Sequence, residues 1–223
     1  MKACLLVGSP RLGKSASEAL GADLLARLGT RGVETEKYYV YRARRTEEGM
    51  GALVAAVAQA DLVILAAPLY VDCLPAPVVQ FLETLAERLD AHARPEGQRF
   101  VAIVNSGFPE AGHNDLALAM YRQFAQQTGF AWAGGMALGA GEPLKGKPLT
   151  ESGGMARKAI AAFDLAAEAL AQGDAVPQAA IDLLAEPMMP AWLYRLAGGL
   201  GWWLQARPHG VQWKLRKRVW ERL

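Results

Sequence analysis

The sequence predicts a doubly wound α/β fold with five parallel strands, and three observations predict it. Short, nearly continuous apolar runs, of which DLVILAAP (61–68) is the clearest, alternate with segments of helical apolar spacing. Five such pairs follow one another, and parallel neighbours require helices that cross over between them. Loops rich in Gly, Ser, Pro and Asn leave three of the runs, at 8–17, 68–77 and 105–115, where ligands bind in such sheets.

The first strand is ACLLV (3–7), which runs into Gly-Ser-Pro. Ser17 to Leu28 reads as a helix, with Ala19, Leu20, Leu24, Leu25 and Leu28 on one face and Gly29 and Gly32 as its stop. Val33 to Tyr41, β-branched and aromatic with alternating charges, suits a strand near the sheet edge. After the polar link RARRTEEG, a small-residue helix is expected from about Gly51 to Gln59. Asp61 to Pro68 is the third strand, and the loop LYVDCLPAP leads to a helix over Val78 to Leu89. Arg99 to Gly107 and Leu116 to Gln127 form the next strand and helix. Phe130 to Gly139 is a weaker strand, and a helix over Met155 to Ala171 closes the repeat.

With 223 residues, 52% hydrophobic and 21% charged, the chain suits one generous α/β domain and excludes fibrous or disordered classes. Cys4 and Cys73 fall in a strand and a distant loop, so neither a disulfide nor a cysteine metal site is expected. The short apolar N-terminal run turns at Gly8 too early for a signal-peptide core, which predicts a cytoplasmic protein. The net charge of +2 hides an asymmetry, because residues 192–223 carry seven Lys or Arg against one Glu and the rest is net negative.

The loop GSPRLGKS (8–15) matches G-x-x-x-x-G-K-[ST], the phosphate loop in which Lys14 would meet the β and γ phosphates and Ser15 would hold Mg²⁺. That chemistry also needs a carboxylate at another strand end. The strand ends here read Ala-Ala-Pro (66–68), Asn-Ser-Gly (105–107) and Leu-Gly-Ala (138–140). The same residues suit a monophosphate, since the hydroxyls of Ser9, Ser15 and Ser17 and the N–H groups opening the helix surround a dianion without a metal. A Gly-Ser-Pro turn before a capped helix is also ordinary punctuation, with Ser17 and Glu18 as the cap.

Gly8, Ser9, Pro10, Arg11, Ser15 and Ser17 resemble the phosphate loop of the NADPH-dependent FMN reductase family, in which G-S-P-R is followed by S-x-S at the start of a helix. Pro68, Tyr70 and Pro75 resemble its second flavin loop. Asn105, Ser106, Gly107 and Phe108 resemble a third loop, where Gly permits close approach and Phe offers a flat wall. Where many relatives have Lys early in the following helix and Asp at its end, this chain has Val79 and Glu83. The resemblance, over residues 1 to about 175, implies a flavodoxin-like five-stranded parallel sheet of order 2-1-3-4-5, and the chain beyond Pro187 and Pro190 reads as a C-terminal helical arm. Residues 1–186 would then be the FMN-binding domain and 187–223 a Trp-rich basic arm. It further implies non-covalent FMN, NADPH or NADH as donor, a quinone, free flavin or similar small acceptor, and a homodimer. The implied cofactor-binding residues are Ser9, Pro10, Arg11, Lys14, Ser15, Ala16, Ser17, Pro68, Leu69, Tyr70, Val71, Asn105, Ser106, Gly107 and Phe108. No catalytic residue and no metal ligand is assigned. Cys73 reads as a loop filler, and Glu110 and His113 as solvated groups, since hydride transfer needs no protein acid. The glycine-rich segment 132–149 lets a loop approach the cofactor or a second subunit. A non-enzymatic electron carrier and an ATP-dependent P-loop enzyme stand as the alternatives.

Five of the six tryptophans, Trp192, Trp202, Trp203, Trp213 and Trp220, lie in the last 32 residues among Arg195, Arg207, Lys214, Arg216, Lys217, Arg218 and Arg222. The longest apolar run there, LAGGLGWWL, is too short to span a bilayer, which takes about 20 residues. Packing on the protein or a second subunit, peripheral contact with a membrane and, least favoured, nucleic acid are the open readings.

Overall fold

The computed structural model describes residues 1–89, 94–144, 146–215 and 217. Arg216, Arg218, Trp220 and Arg222 of the arm lie outside the described residues. By contacts within the chain, two compact units divide it, Met1–Met188 and Met189–Leu223.

The first unit is built on five parallel strands in the order β2-β1-β3-β4-β5: β1 (Lys2–Val7), β2 (Glu34–Tyr39), β3 (Leu62–Pro68), β4 (Arg99–Asn105) and β5 (Ala131–Leu138). This is the flavodoxin-like order that the sequence predicts. The central strands are apolar on both faces because both faces are covered. Leu5 and Val7 of β1 and Leu62 and Ile64 of β3 enter one core with α1 (Ala16–Gly29) and α6 (Arg157–Gln172). Their alternates Cys4, Leu6, Val63 and Leu65 enter the other, with α3 (Glu47–Gln59), α4 (Ala76–Arg88) and α5 (Asp115–Gln127).

Several boundaries move for local reasons. Ser15 caps α1 by accepting from the Glu18 N–H at 3.1 Å, so the helix opens at Ala16 and Ser17 lies inside its first turn. Strand β2 stops at Tyr39, because Val40–Ala43 coils into the single turn α2. Thr46 caps α3 through the Gly49 N–H at 3.0 Å, so Glu47, Glu48 and Gly49 of the expected polar link are helix. An unforeseen helix, α7 (Gln178–Ala185), buries Ala180 and Leu184 in the first core. In β5 the register shifts opposite Phe100 and Val101, and Gly134 stands at φ +136 with Val176 against it, where a Cβ would lie 2.8 Å from the valine's.

The second unit holds α8 (Ala191–Ala206), which follows Pro190 and ends in a 3-10 turn at Arg207–His209. Among the described residues no helix is long and apolar enough to cross a membrane.

Candidate functional site

Strands β1 and β3 are neighbours, yet the chain leaves them toward opposite sides of the sheet, and this opens a crevice beyond their carboxyl ends. A cleft occupies that position, lined by Ser9, Arg11, Ser15, Ala16, Pro68, Leu69, Tyr70, Asn105, Ser106 and Gly107. Three loops distant in sequence therefore meet in one place.

The first loop is tightly ordered from within. The Gly8 N–H donates to the Ala66 carbonyl at 2.8 Å, and the Arg11 N–H donates to Ser9 Oγ at 3.3 Å. Ser9 and Ser15 are buried hydroxyls on the cleft wall. Ser15 accepts from Glu18, and its own O–H proton stays available to a ligand. The first N–H groups of α1, a 14-residue helix, have no partners within it and carry the positive end of its dipole toward the cleft. Ser17 sits one step behind: it is buried, and its hydroxyl donates to Asn105 Oδ1 at 2.6 Å. Pro10 and Lys14 are exposed beside the cleft rather than lining it.

Asn105 joins the three loops. Its side chain holds Ser17, and its carbonyl accepts from the Leu69 N–H at 2.9 Å. Ser106 next to it donates its N–H to the Leu138 carbonyl at 3.1 Å. In the second loop Tyr70 and Cys73 exchange main-chain hydrogen bonds of 2.9 and 3.1 Å across a tight turn. The turn places Val71 at φ 51 and Asp72 at φ 56, a left-handed pair that is costly for a β-branched residue. It leaves Tyr70 on the cleft and Val71 fully in solvent. Phe108 is exposed outside the cleft lining, with its ring 4.4 Å from that of His113.

One part of the site escapes sequence reasoning. Glu18 accepts from the Gly13 N–H and from Lys37 Nζ, at 2.8 and 2.9 Å, and from the Tyr39 hydroxyl, so it ties the phosphate loop to β2. Burial opposes its charge. The hydrogen bonds from Tyr39, Lys37 and Gly13 together outweigh burial and hold the carboxyl below its ordinary range, while the bond to Glu18 raises Lys37. The available signal was Lys37 and Tyr39 at alternate positions of an edge strand, on one face. The segment after β5, whose glycines the sequence reading brings toward the cofactor or a second subunit, packs on the loops of the site. Gly146, at φ +70, lies on the main chain of the phosphate loop, where a Cβ would sit 2.4 Å from the Lys14 carbonyl carbon. Gly141 lies against Asn105 and donates its N–H to the Ser106 carbonyl at 2.9 Å. Both glycines support the loops from behind and lie outside the lining of the cleft.

The two cysteines are free. Burial pushes the Cys4 thiol up to about 12, which leaves it protonated and inert. Cys73 Sγ rests 3.7 Å from Met120 Sδ.

Comparison with known proteins agrees with this geometry. The family model for NADPH-dependent FMN reductase matches residues 1–131. No curated protein matches the sequence. Among solved structures, the chain is similar to a flavone reductase at 13% identity (TM-score 0.59), over 77% of this chain and 63% of that one. It therefore spans less than two thirds of that relative. An NAD(P)H:quinone oxidoreductase from Methanothermobacter marburgensis is 15% identical (TM-score 0.56), covering 74% and 94% of the two chains. An FMN-dependent NADH-azoreductase from Bacillus anthracis str. Ames Ancestor, solved with FMN, is 14% identical (TM-score 0.55), covering 77% and 100%. At these identities the structures establish the shared fold. With the family match across more than half of its length and its three loops gathered at one crevice, the chain belongs to the NADPH-dependent FMN reductase family.

Proposed function

We propose that the chain binds FMN non-covalently in this cleft and is an oxidoreductase that carries electrons from NADPH or NADH to a small acceptor such as a quinone or free flavin. The observation that carries the reading is the convergence of the Ser9 and Ser15 hydroxyls, Arg11 and the start of α1 with Tyr70 and Asn105–Gly107. The donors fit the group. Two hydroxyls, a guanidinium and a helix N-terminus suit a phosphate dianion, and no metal is needed to hold it. Tyr70, 45% exposed at the rim, offers an aromatic face to a flat ring, and Gly107 lets the main chain come close.

When bound, FMN supplies the capacity to accept a hydride from a nicotinamide and to pass electrons on. The residues of the chain bind and orient. Ser9, Ser15 and Arg11 anchor the phosphate, and Asn105 fixes the loops against each other. The Tyr70–Cys73 turn sets the rim. Of the two nearby proton carriers, His113 and Glu110 stand 3.7 Å apart and both are well exposed, so no catalytic role is assigned to either.

The reading includes a homodimer. Tyr70, Val71 and Phe108 support it, standing exposed around the cleft where a second copy would cover them. It also includes a reducing, cytoplasmic setting, supported by the two free thiols. The letters GSPRLGKS alone favour a nucleoside triphosphate. Against that, β3, β4 and β5 end on Pro68, Asn105 and Leu138, none of them the carboxylate that such a metal site takes from another strand end.

Titrating the purified chain with FMN should quench flavin fluorescence at micromolar concentration, and the loaded protein should oxidise NADPH or NADH with a quinone present. Binding of ATP with Mg²⁺ in place of FMN would overturn the reading. Tight FMN with negligible NAD(P)H oxidation would instead identify an electron carrier.

A further inference from the structure

The second unit carries features that an FMN site does not use. Its helix α8 has a single charged residue, Arg195, and leaves most of its large apolar side chains in solvent: Trp192, Leu193, Leu196, Leu200, Trp202 and Leu204 are all exposed. At about 100° per residue, Trp192, Leu193, Leu196, Leu200, Trp203 and Leu204 fall within an arc of about 120°. Gly198, Gly201 and Gln205 occupy the opposite side together with Tyr194 and Trp202, and Arg195 flanks the arc. After the helix the chain turns at Gly210, and Trp213 meets Trp203 edge to face at 5.9 Å, with the Arg207 guanidinium 5.9 Å from the Trp203 ring. From Pro187 to Trp220 the sequence contains no Asp or Glu and six Lys or Arg.

We propose that the Met189–Leu223 unit docks on anionic lipid bilayers, with α8 lying in the interface plane. An exposed apolar arc suits burial to about 5–10 Å between headgroups and acyl chains. Trp prefers that depth, and clustered Lys and Arg are attracted to acidic headgroups. Charge selects this occupant over a second copy of the same arm, since two copies face to face would set Arg195, Arg207, Lys214 and Lys217 against their own kind. Length fixes the mode: 16 residues rise about 24 Å, short of a hydrocarbon core of about 30 Å, so the helix lies on the membrane and does not cross it.

The test is co-sedimentation of the full chain with vesicles of phosphatidylcholine alone and of phosphatidylcholine with phosphatidylglycerol, alongside light scattering for oligomeric state. Binding to the acidic vesicles should exceed that to neutral ones by roughly tenfold or more, fall with salt, and shift Trp emission to the blue. The double substitution L196E/L200E, at two exposed positions, should abolish it while leaving the melting temperature unchanged. Equal, weak sedimentation with both vesicle types would overturn the proposal. So would a variant that still sediments with acidic vesicles, or one whose only change is a loss of dimer, the last assigning the arc to a second copy. Each of these outcomes is independent of whether FMN binds.

Discussion

At the residue scale, Ser9 and Ser15 have different second duties. Ser9→Ala removes a hydroxyl from the cleft wall and leaves the α1 cap in place, so FMN affinity should fall about tenfold or more with little change in melting temperature. Ser15→Ala removes a cleft hydroxyl and the cap, and should add a loss of about 1 kcal/mol of stability on urea denaturation. Flavin fluorescence with denaturation curves separates the two. Glu18 makes a prediction in pH. Its carboxyl is depressed in the folded chain, so the stability it supplies is complete above the ordinary pKa of a Glu, about 4.3, and is lost as pH falls through the lower folded value. Glu18→Gln should therefore melt below the wild type at neutral pH, and the gap should close under acid, toward pH 3. A gap that stays constant or widens there would show that Glu18 acts through packing and not through its charge.

At the scale of elements, what could be read depended on whether the cause was local. β1, β3 and β4 were legible because strands covered on both faces must be apolar at every position. The start of α3 was not, since Glu47 and Glu48 look like a polar link until Thr46 is seen to cap them. The first loop announced itself in its letters. Its supports did not, because Glu18 reaching Lys37 and Tyr39 depends on how β2 registers on β1, and Gly146 reaching Lys14 depends on the path after β5. That contact carries its own prediction. Gly13 and Gly146 both have positive φ, but a Cβ at Gly13 meets nothing within 4 Å, whereas one at Gly146 meets the Lys14 main chain. Gly13→Ala should cost only the left-handed penalty, about 1 kcal/mol. Gly146→Ala should cost more, about 2–3 kcal/mol, and should also weaken FMN binding by displacing one loop from the other. Equal effects of the two on flavin affinity would exclude the segment after β5 as a support of the site.

At the scale of the whole molecule, the chain divides by charge and by packing at nearly the same place. Both cores of the sheet close without the second unit: the last fully buried member is Leu184, with Met188 packed against it. The site likewise draws its residues from the first unit alone. We propose that Met1–Met188 folds and binds FMN by itself, and that the cationic unit adds an attachment rather than a part of the fold. A chain ending at Met188 should then keep its melting temperature within about 2 °C and its FMN affinity within about threefold, since the buried members of both cores and the lining of the cleft belong to the first unit. Its charge should also change sign, because the deleted segment holds the basic excess, so it should migrate as an acid on native gels at neutral pH while the full chain does not. Loss of flavin binding in a truncated chain that still melts cooperatively would show that the arm completes the site. Loss of cooperative melting itself would show that the division by contacts is not a division of stability.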